Sequence, residues 1–414
     1  MRETGNKYNL YQSILRSNEL KEDALTFLEA VKNLPDRATV HEQTAARKNK
    51  ILEVLGGTEE DWSDWKWQLK SRIKDSNILA SIIGLSDLER KRIDKVSQHY
   101  RWAISPYYLS LVDDDYENSP IYRQAVPDLK ELDPGGSMDP MSEALTSPAP
   151  CVTRRYPDRM IINVTNQCAM YCRHCQRRRN IGEIDQHACM EDIKMALDYV
   201  AQHKEIRDVL VTGGDALLLS NQMLKFILAE LHSIPHVEIK RIGTRTPVTM
   251  PQRITPGVVD IIRQYPPIFI NTQFNHPLEV TQEAKLACDR LIDAGAVLGN
   301  QAVLLRGIND KPFIIRKLCQ ELLKIRVRPY YIFHAKSVRG TGHFQTSVEQ
   351  GMRIMESLRG HTSGLAIPTY IVNAPGGLGK IPLSPNYLLR MKNDEVVLRT
   401  WEGKIVKVEN RPIL

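Results

Sequence analysis

The chain has 414 residues, 42% hydrophobic and 25% charged, long enough for one large α/β domain with an additional element. A net charge of +7 is modest at this length and does not compel a nucleic-acid partner, because phosphate and carboxylate ligands answer it equally well. No run of 18 apolar residues predicts a membrane span, the first residues lack the apolar core of a signal peptide, and seven cysteines, an odd number, fit a reducing cytoplasm better than a disulfide framework.

Residues 1–110 read as a helical N-terminal region. Segments 20–31, 40–55 and 88–100 carry apolar residues at three- and four-residue spacing, with Gly56, Gly57 and Gly84 as breaks. Trp62, Trp65 and Trp67 fall close together. They form either a stacking platform for nucleic acid or the anchors of a helical arm, and anchors are the expectation. Residues 111–152 shift to acidic residues at 113–115 and prolines at 120, 127, 134, 140, 148 and 150, which predicts an extended connector without regular structure.

From 153 to 385 the pattern alternates. Strand-like runs at 160–165, 208–212, 238–244, 268–274, 297–304 and 329–333 are separated by helix-like runs at 189–203, 221–232, 256–265, 279–294 and 312–323. Six strands alternating with helices predict a parallel sheet with its chemistry on loops at the carboxyl ends. A last run, 365–372, leads into a glycine-rich motif. Residues 386–414 form a C-terminal extension, and the alternation over 395–409 predicts a hairpin.

Three motifs sit on those loops. Cys168, Cys172 and Cys175, spaced C-x3-C-x2-C, follow the first strand. Three thiolates hold three corners of a [4Fe–4S] cube and leave the fourth iron open. A structural zinc site wants four protein ligands, and His174, wedged between two of the cysteines, is poorly placed as a separate one. Gly213, Gly214 and Asp215 end the second strand; the glycines let backbone approach a ligand, and Asp215 can pair with a cation. The third motif, Asn373-Ala-Pro-Gly-Gly-Leu-Gly-Lys380, is not a P-loop, since Ala374 stands in place of the first glycine and Ile381 in place of the Ser/Thr. Pro382 rules out the dinucleotide fingerprint. A lysine on a flexible glycine turn suits a Schiff base with pyridoxal phosphate (PLP), one option among several. Arg154, Arg155, Arg159, Arg177, Arg178 and Arg179 flank the cysteines, as a solvated face or as donors to phosphate and carboxylate.

The run from Met170 to Arg179, Met-Tyr-Cys-Arg-His-Cys-x-Arg-Arg-Arg, resembles radical S-adenosylmethionine (SAM) enzymes and, within them, the lysine 2,3-aminomutase family. The Pro-Gly-Gly-x-Gly-Lys pattern at 375–380 agrees, and the resemblance spans nearly the whole chain. It implies an α/β fold: a partial (β/α)6 radical SAM barrel with a helical N-terminal arm and a small C-terminal extension. It implies a [4Fe–4S] cluster on Cys168, Cys172 and Cys175, and SAM held by His174, Gly213, Gly214 and Asp215. PLP would sit on Lys380 among Arg155, Tyr156 and Arg159, with Gln301 near the cofactors and Arg177 on the substrate α-carboxylate. Ala216 and Gln273 depart from the family, which has a proline and a histidine there.

Two aspartates that bind the substrate's side-chain ammonium in the lysine enzymes are matched here by Lys336 and Asn373. Both changes remove negative charge, so the expected substrate is L-glutamate, its amino group moved to C3 to give β-glutamate. The alternatives are L-lysine giving L-β-lysine and, from another class, an RNA-modifying radical SAM protein. The expected partners are a small amino acid, a one-electron reductant such as flavodoxin or ferredoxin, and a second copy of the chain in a homodimer or higher oligomer. Nucleic acid and membrane are not expected. No cysteine follows Cys319, so the thiolate zinc site of the lysine enzymes is not expected either.

Overall fold

In the computed structural model, which describes residues 2–35, 37–392 and 394–410, the β-branched runs become strands and the amphipathic runs become helices. The strands are β1 (Val152–Thr153), β2 (Arg159–Thr165), β3 (Asp208–Gly213), β4 (Ile239–Gly243), β5 (Ile268–Thr272), β6 (Val297–Leu304), β7 (Arg328–His334), β8 (Thr369–Asn373) and β9 (Lys380–Leu383). They form one sheet in that order. β2 to β8 run parallel, β1 and β9 are antiparallel edges, and the edges do not pair, so the barrel stays open.

The parallel strands number seven rather than the six expected, because Tyr331–Phe333 pair with Thr369–Ile371 and draw the last run into the sheet. The helix before it, Val348–Leu358, is not predicted from the sequence. Gly351 interrupts its apolar spacing, and glycine is required there because a Cβ would overlap the Tyr370 ring. The other outer helices, Met190–Gln202, Asn221–Ser233, Pro256–Gln264, Gln282–Asp293 and Pro312–Lys324, lie where the periodicity puts them. Serine or threonine caps (Ser220, Thr281) and prolines in the first turn (Pro256, Pro312) start four of them.

The N-terminal helices share one continuous apolar core with the barrel: Ile51, Trp62 and Leu79 belong to the same cluster as Val164, Val211 and Ile270. Trp62 is buried, the Trp67 ring fills the space left by Gly57, where a Cβ would lie 2.5 Å away, and the Arg253 guanidinium lies 4.4 Å from the Trp65 ring. The tryptophans are therefore anchors. The connector is more regular than expected: Ser119 caps and Pro120 opens the helix Pro120–Ala125, and short 3-10 turns form at Leu129–Leu132 and Glu143–Thr146. At the C-terminal end β10 (Leu388–Met391), β11 (Glu395–Arg399) and β12 (Ile405–Glu409) form a separate antiparallel sheet, the predicted hairpin plus one strand. Among the described residues no helix is long and apolar enough to cross a membrane.

Candidate active site

A cavity opens at the carboxyl ends of the parallel strands. Every residue to which the resemblance gives a role lines it, except Tyr156 and Arg159. Its floor is the cysteine loop. Arg72 from the helical arm donates to the Cys168 carbonyl at 2.6 Å and pairs with Asp185, which also receives Arg101 at 2.5 Å and the Tyr171 hydroxyl. Gly213 and Gly214 hold the loop from beneath, since a Cβ on either would overlap the backbone oxygens of Thr165 or Gln167.

The connector adds Glu131, fully buried, whose carboxylate accepts from Arg173 Nε at 2.9 Å and Nη2 at 2.5 Å and from Arg178. Burial opposes its charge, but the two guanidiniums outweigh burial and lower its pKa. Glu131→Ala leaves two buried cations unpaired and is expected to cost about 3–5 kcal/mol, read as a lower unfolding midpoint in urea.

All three cysteines line the cavity as free thiols. Among the described residues no three Cys, His, Asp or Glu side chains gather tightly enough for a single ion. Burial raises the Cys168 thiol well above its ordinary pKa and Cys175 to about 11, so cluster binding must displace their protons.

Cys172 has a partner that is not legible in the sequence. Arg245, on the loop after β4, donates from Nη1 to Cys172 Sγ at 2.8 Å. The guanidinium is buried and held by Glu279 at 2.7 Å, Gln124 at 2.6 Å and the Gln273 carbonyl at 3.0 Å.

His174 stands over the same loop, buried, with its pKa driven well below the usual value by burial and then by Arg245, so it is neutral. Its Nε2 lies 3.2 Å from the Gln273 amide nitrogen and 3.3 Å from that of Asn275. Between two amide donors Nε2 is the acceptor, so the proton sits on Nδ1, which is buried without a partner. Gln273 thus makes a contact to His174 from the place where the family carries histidine. The Asp215 carboxylate, by contrast, is turned inward and accepts from Thr244 Oγ1 at 2.6 Å, Arg245 N at 2.7 Å and Leu217 N at 3.1 Å. Burial raises its pKa despite these bonds. The Gly214 N–H is also engaged, donating to the Thr165 carbonyl at 2.5 Å, so the two glycines meet the cavity as bare backbone with no side chain in the way.

Lys380 is the first residue of the edge strand β9, paired across the hairpin with Asn373, and so is held more firmly than on a flexible turn. The loop between them needs glycine: Gly376, Gly377 and Gly379 have φ of 69°, 77° and 107°. A Cβ on Gly377 would lie 2.5 Å from the Met141 carbonyl, so the connector closes onto the loop. The Lys380 ammonium sits 4.8 Å from the Tyr331 ring centre and 5.4 Å from that of Phe333. Burial, then Arg241, Arg159 and Arg155, lower its pKa to about 8. Tyr156 packs beside Gly379 and carries the Arg159 guanidinium 3.9 Å from its ring centre.

Arg155 and Arg177 meet on one buried carboxylate, Glu143 of the connector. Arg177 donates to it from Nε at 3.1 Å and Nη2 at 3.2 Å, and Arg155 Nη2 lies 3.6 Å away. No periodicity in the connector marks Glu143. Arg155 Nη1 remains buried without a partner. Lys336 donates to the side-chain oxygen of Gln176 and has no ion-pair partner among the described residues; burial, then Arg177 and Arg155, lower its pKa to about 7. The Asn373 amide nitrogen is likewise buried without a partner.

Buried donors without acceptors are costly unless a ligand completes them. Arg155 Nη1, His174 Nδ1 and Asn373 Nδ2, beside a lysine of depressed pKa and three thiols, fit anionic groups, an adenosyl ligand and a cluster.

Comparisons with known proteins agree. Residues 162–314 match the Radical SAM superfamily and residues 355–411 match Lysine-2,3-aminomutase. The chain is 55% identical over 401 residues to a glutamate 2,3-aminomutase of Clostridioides difficile (strain 630), covering 97% of this chain and 95% of that protein. It is 48% identical to an L-lysine 2,3-aminomutase of Clostridium subterminale, covering 85% of each chain, and 47% identical to that of Bacillus subtilis (strain 168), covering 84% of this chain and 74% of the other. The chain belongs to the lysine 2,3-aminomutase family of the radical SAM superfamily.

Proposed function

We propose that this aminomutase acts on L-glutamate and gives β-glutamate. The observation that carries the reading is the placement of Lys336 and Asn373 in the same cavity as Lys380 and Arg177, with no carboxylate paired to Lys336 among the described residues. Arg155, Arg177, Lys336 and Lys380 are among the basic side chains that line the cavity, which suits a phosphate and two substrate carboxylates. A substrate such as L-lysine would bring a further cation and find no acceptor charge at that end.

The family works with a [4Fe–4S] cluster, SAM and PLP. In this reading Cys168, Cys172 and Cys175 hold the cluster. His174 Nδ1, Gly213 and Gly214 face SAM, Asp215 braces their turn, and Gln301 lies beside the cofactors. Arg155, Tyr156 and Arg159 surround PLP. When bound, the reduced cluster and SAM supply a hydrogen-abstracting radical, and PLP supplies a carrier for the migrating nitrogen. Arg177 fixes the α-carboxylate through the nitrogen that Glu143 leaves free. Lys336 and Asn373 fix the side-chain carboxylate and so set C3 in register. A carboxylate beside Lys336 also restores the proton that burial loosens. Ile161, Leu210, Val303 and Phe333 wall the cavity with apolar surface and keep water from a radical intermediate.

Lys380 must be a free amine to take PLP. Its pKa near 8 means that capture of PLP by the apoprotein rises up to about pH 8 and then levels off. Borohydride trapping across pH 6–10 measures this; a rate still climbing above about pH 9.5 would mean an ordinary exposed lysine.

A second copy of the chain is part of the reading. The helix Arg2–Val31 exposes Leu10, Ile14, Leu25 and Leu28, and the C-terminal sheet exposes Leu388, Met391, Ile405 and Val408. Apolar faces of this extent are ordinarily covered by another subunit. The reduced cluster requires a one-electron donor such as flavodoxin or ferredoxin. The RNA-modifying alternative loses its main support, since the tryptophans are packed inside.

A further inference from the structure

The end of the cavity that receives the substrate side chain also contains Gln176. It lies between Cys175 and Arg177 and lines the cavity with Lys336 and Asn373. The Lys336 ammonium donates to its side-chain oxygen. An ammonium has only donors, so this contact fixes the orientation of the amide: oxygen toward Lys336, N–H2 away from it. Gln176 is exposed, and no residue among those described accepts from that N–H2; the Asn373 amide nitrogen is buried and also has no partner.

We infer that Gln176 is a specificity-determining residue that supplies, with Lys336 and Asn373, a third donor to the side-chain carboxylate of the substrate. The inference rests on the glutamate reading and deepens it. A carboxylate accepts at about four lone-pair positions and takes three donors without leaving one idle. The amide of L-glutamine has the same shape but turns an N–H2 toward at least one of those donors. A subsite made only of donors therefore separates acid from amide, which charge on Lys336 alone does less well. Gln176 also holds the Lys336 side chain in place, so its two ends act on the same carboxylate, one directly and one through the ammonium.

The test uses the full-length, reconstituted enzyme and two variants, with iron and PLP content measured alongside kinetics. Gln176→Met keeps the length and removes both hydrogen-bonding ends. Its KM for L-glutamate is expected to rise about tenfold and its preference for L-glutamate over L-glutamine to narrow by about the same factor, with kcat changed far less. Gln176→Glu pairs with Lys336 and repels the substrate; its KM is expected to rise about a hundredfold. Equilibrium binding of L-glutamate, followed by the perturbation of the PLP spectrum, should show the same order.

An unchanged KM in Gln176→Met, in an enzyme whose wild type uses L-glutamate, overturns this inference and leaves the glutamate reading standing. A wild type that prefers L-lysine overturns both. Loss of iron or PLP from both variants assigns Gln176 to the cysteine loop and also overturns it.

Discussion

Replacing Lys336 and Asn373 together by aspartate is expected to lower kcat/KM for L-glutamate by about two to three orders of magnitude and to open the site to L-lysine. The substitution removes the Lys336 cation and sets two carboxylates opposite the substrate's own. An unpaired buried charge costs roughly 3–5 kcal/mol, which is a factor of about 10² to 10³ in affinity. Lys336 lies two residues past the end of β7 and Asn373 is the last residue of β8, neighbouring parallel strands, and both line the cavity. Steady-state kinetics with both amino acids, under anaerobic conditions, measures the change. Iron and PLP contents should match the wild type, because neither residue is expected to hold a cofactor.

Cys172→Ala is expected to abolish reductive cleavage of SAM. A cube held by two thiolates loses the protein ligand that leaves only one iron open. The variant also strips the Arg245 Nη1 donor of its acceptor while Glu279 keeps the guanidinium in place. Cys288→Ala is the control: Cys288 is buried on an outer helix, packed as a small apolar residue, and should leave iron content and cleavage intact. Retention of full cleavage by Cys172→Ala would show that the loop does not hold the cluster.

Most of the strands and all three motifs are legible in the amino-acid sequence. The cysteine loop, the double glycine and the Pro-Gly-Gly-x-Gly-Lys turn each sit where a strand pattern ends, and each has a chemical reason for its residue types. The strands stand out because β-branched runs alternate with helical spacing. The seventh parallel strand is harder to see, since Gly351 hides the helix that returns the chain to the sheet. Glycines on its N-terminal side suggest a loose turn for Lys380; only the pairing of β8 with β9 reveals that it begins a strand.

The residues that sequence patterns miss share a property. Glu131 and Glu143 sit in an irregular, proline-rich connector with no period to mark which face is buried. Their main partners, Arg173 and Arg177, lie more than thirty positions away, a distance that local patterns cannot see. Arg245 is hidden for the same reason, since its partners Cys172, Gln124 and Glu279 come from three separate elements. Asp215 shows the reverse case: the residue type is right for an exposed acceptor, but Thr244 and Arg245 claim its carboxylate.

The most direct test is a substrate comparison with the wild-type protein. Reconstituted with iron, sulfide, PLP and SAM, chemically reduced and kept anaerobic, it is offered L-glutamate and L-lysine in parallel, and the β-amino acids are quantified. β-Glutamate is the expected main product, with kcat/KM for L-glutamate exceeding that for L-lysine by about a hundredfold or more. Faster formation of β-lysine than of β-glutamate would contradict the assignment of L-glutamate as substrate.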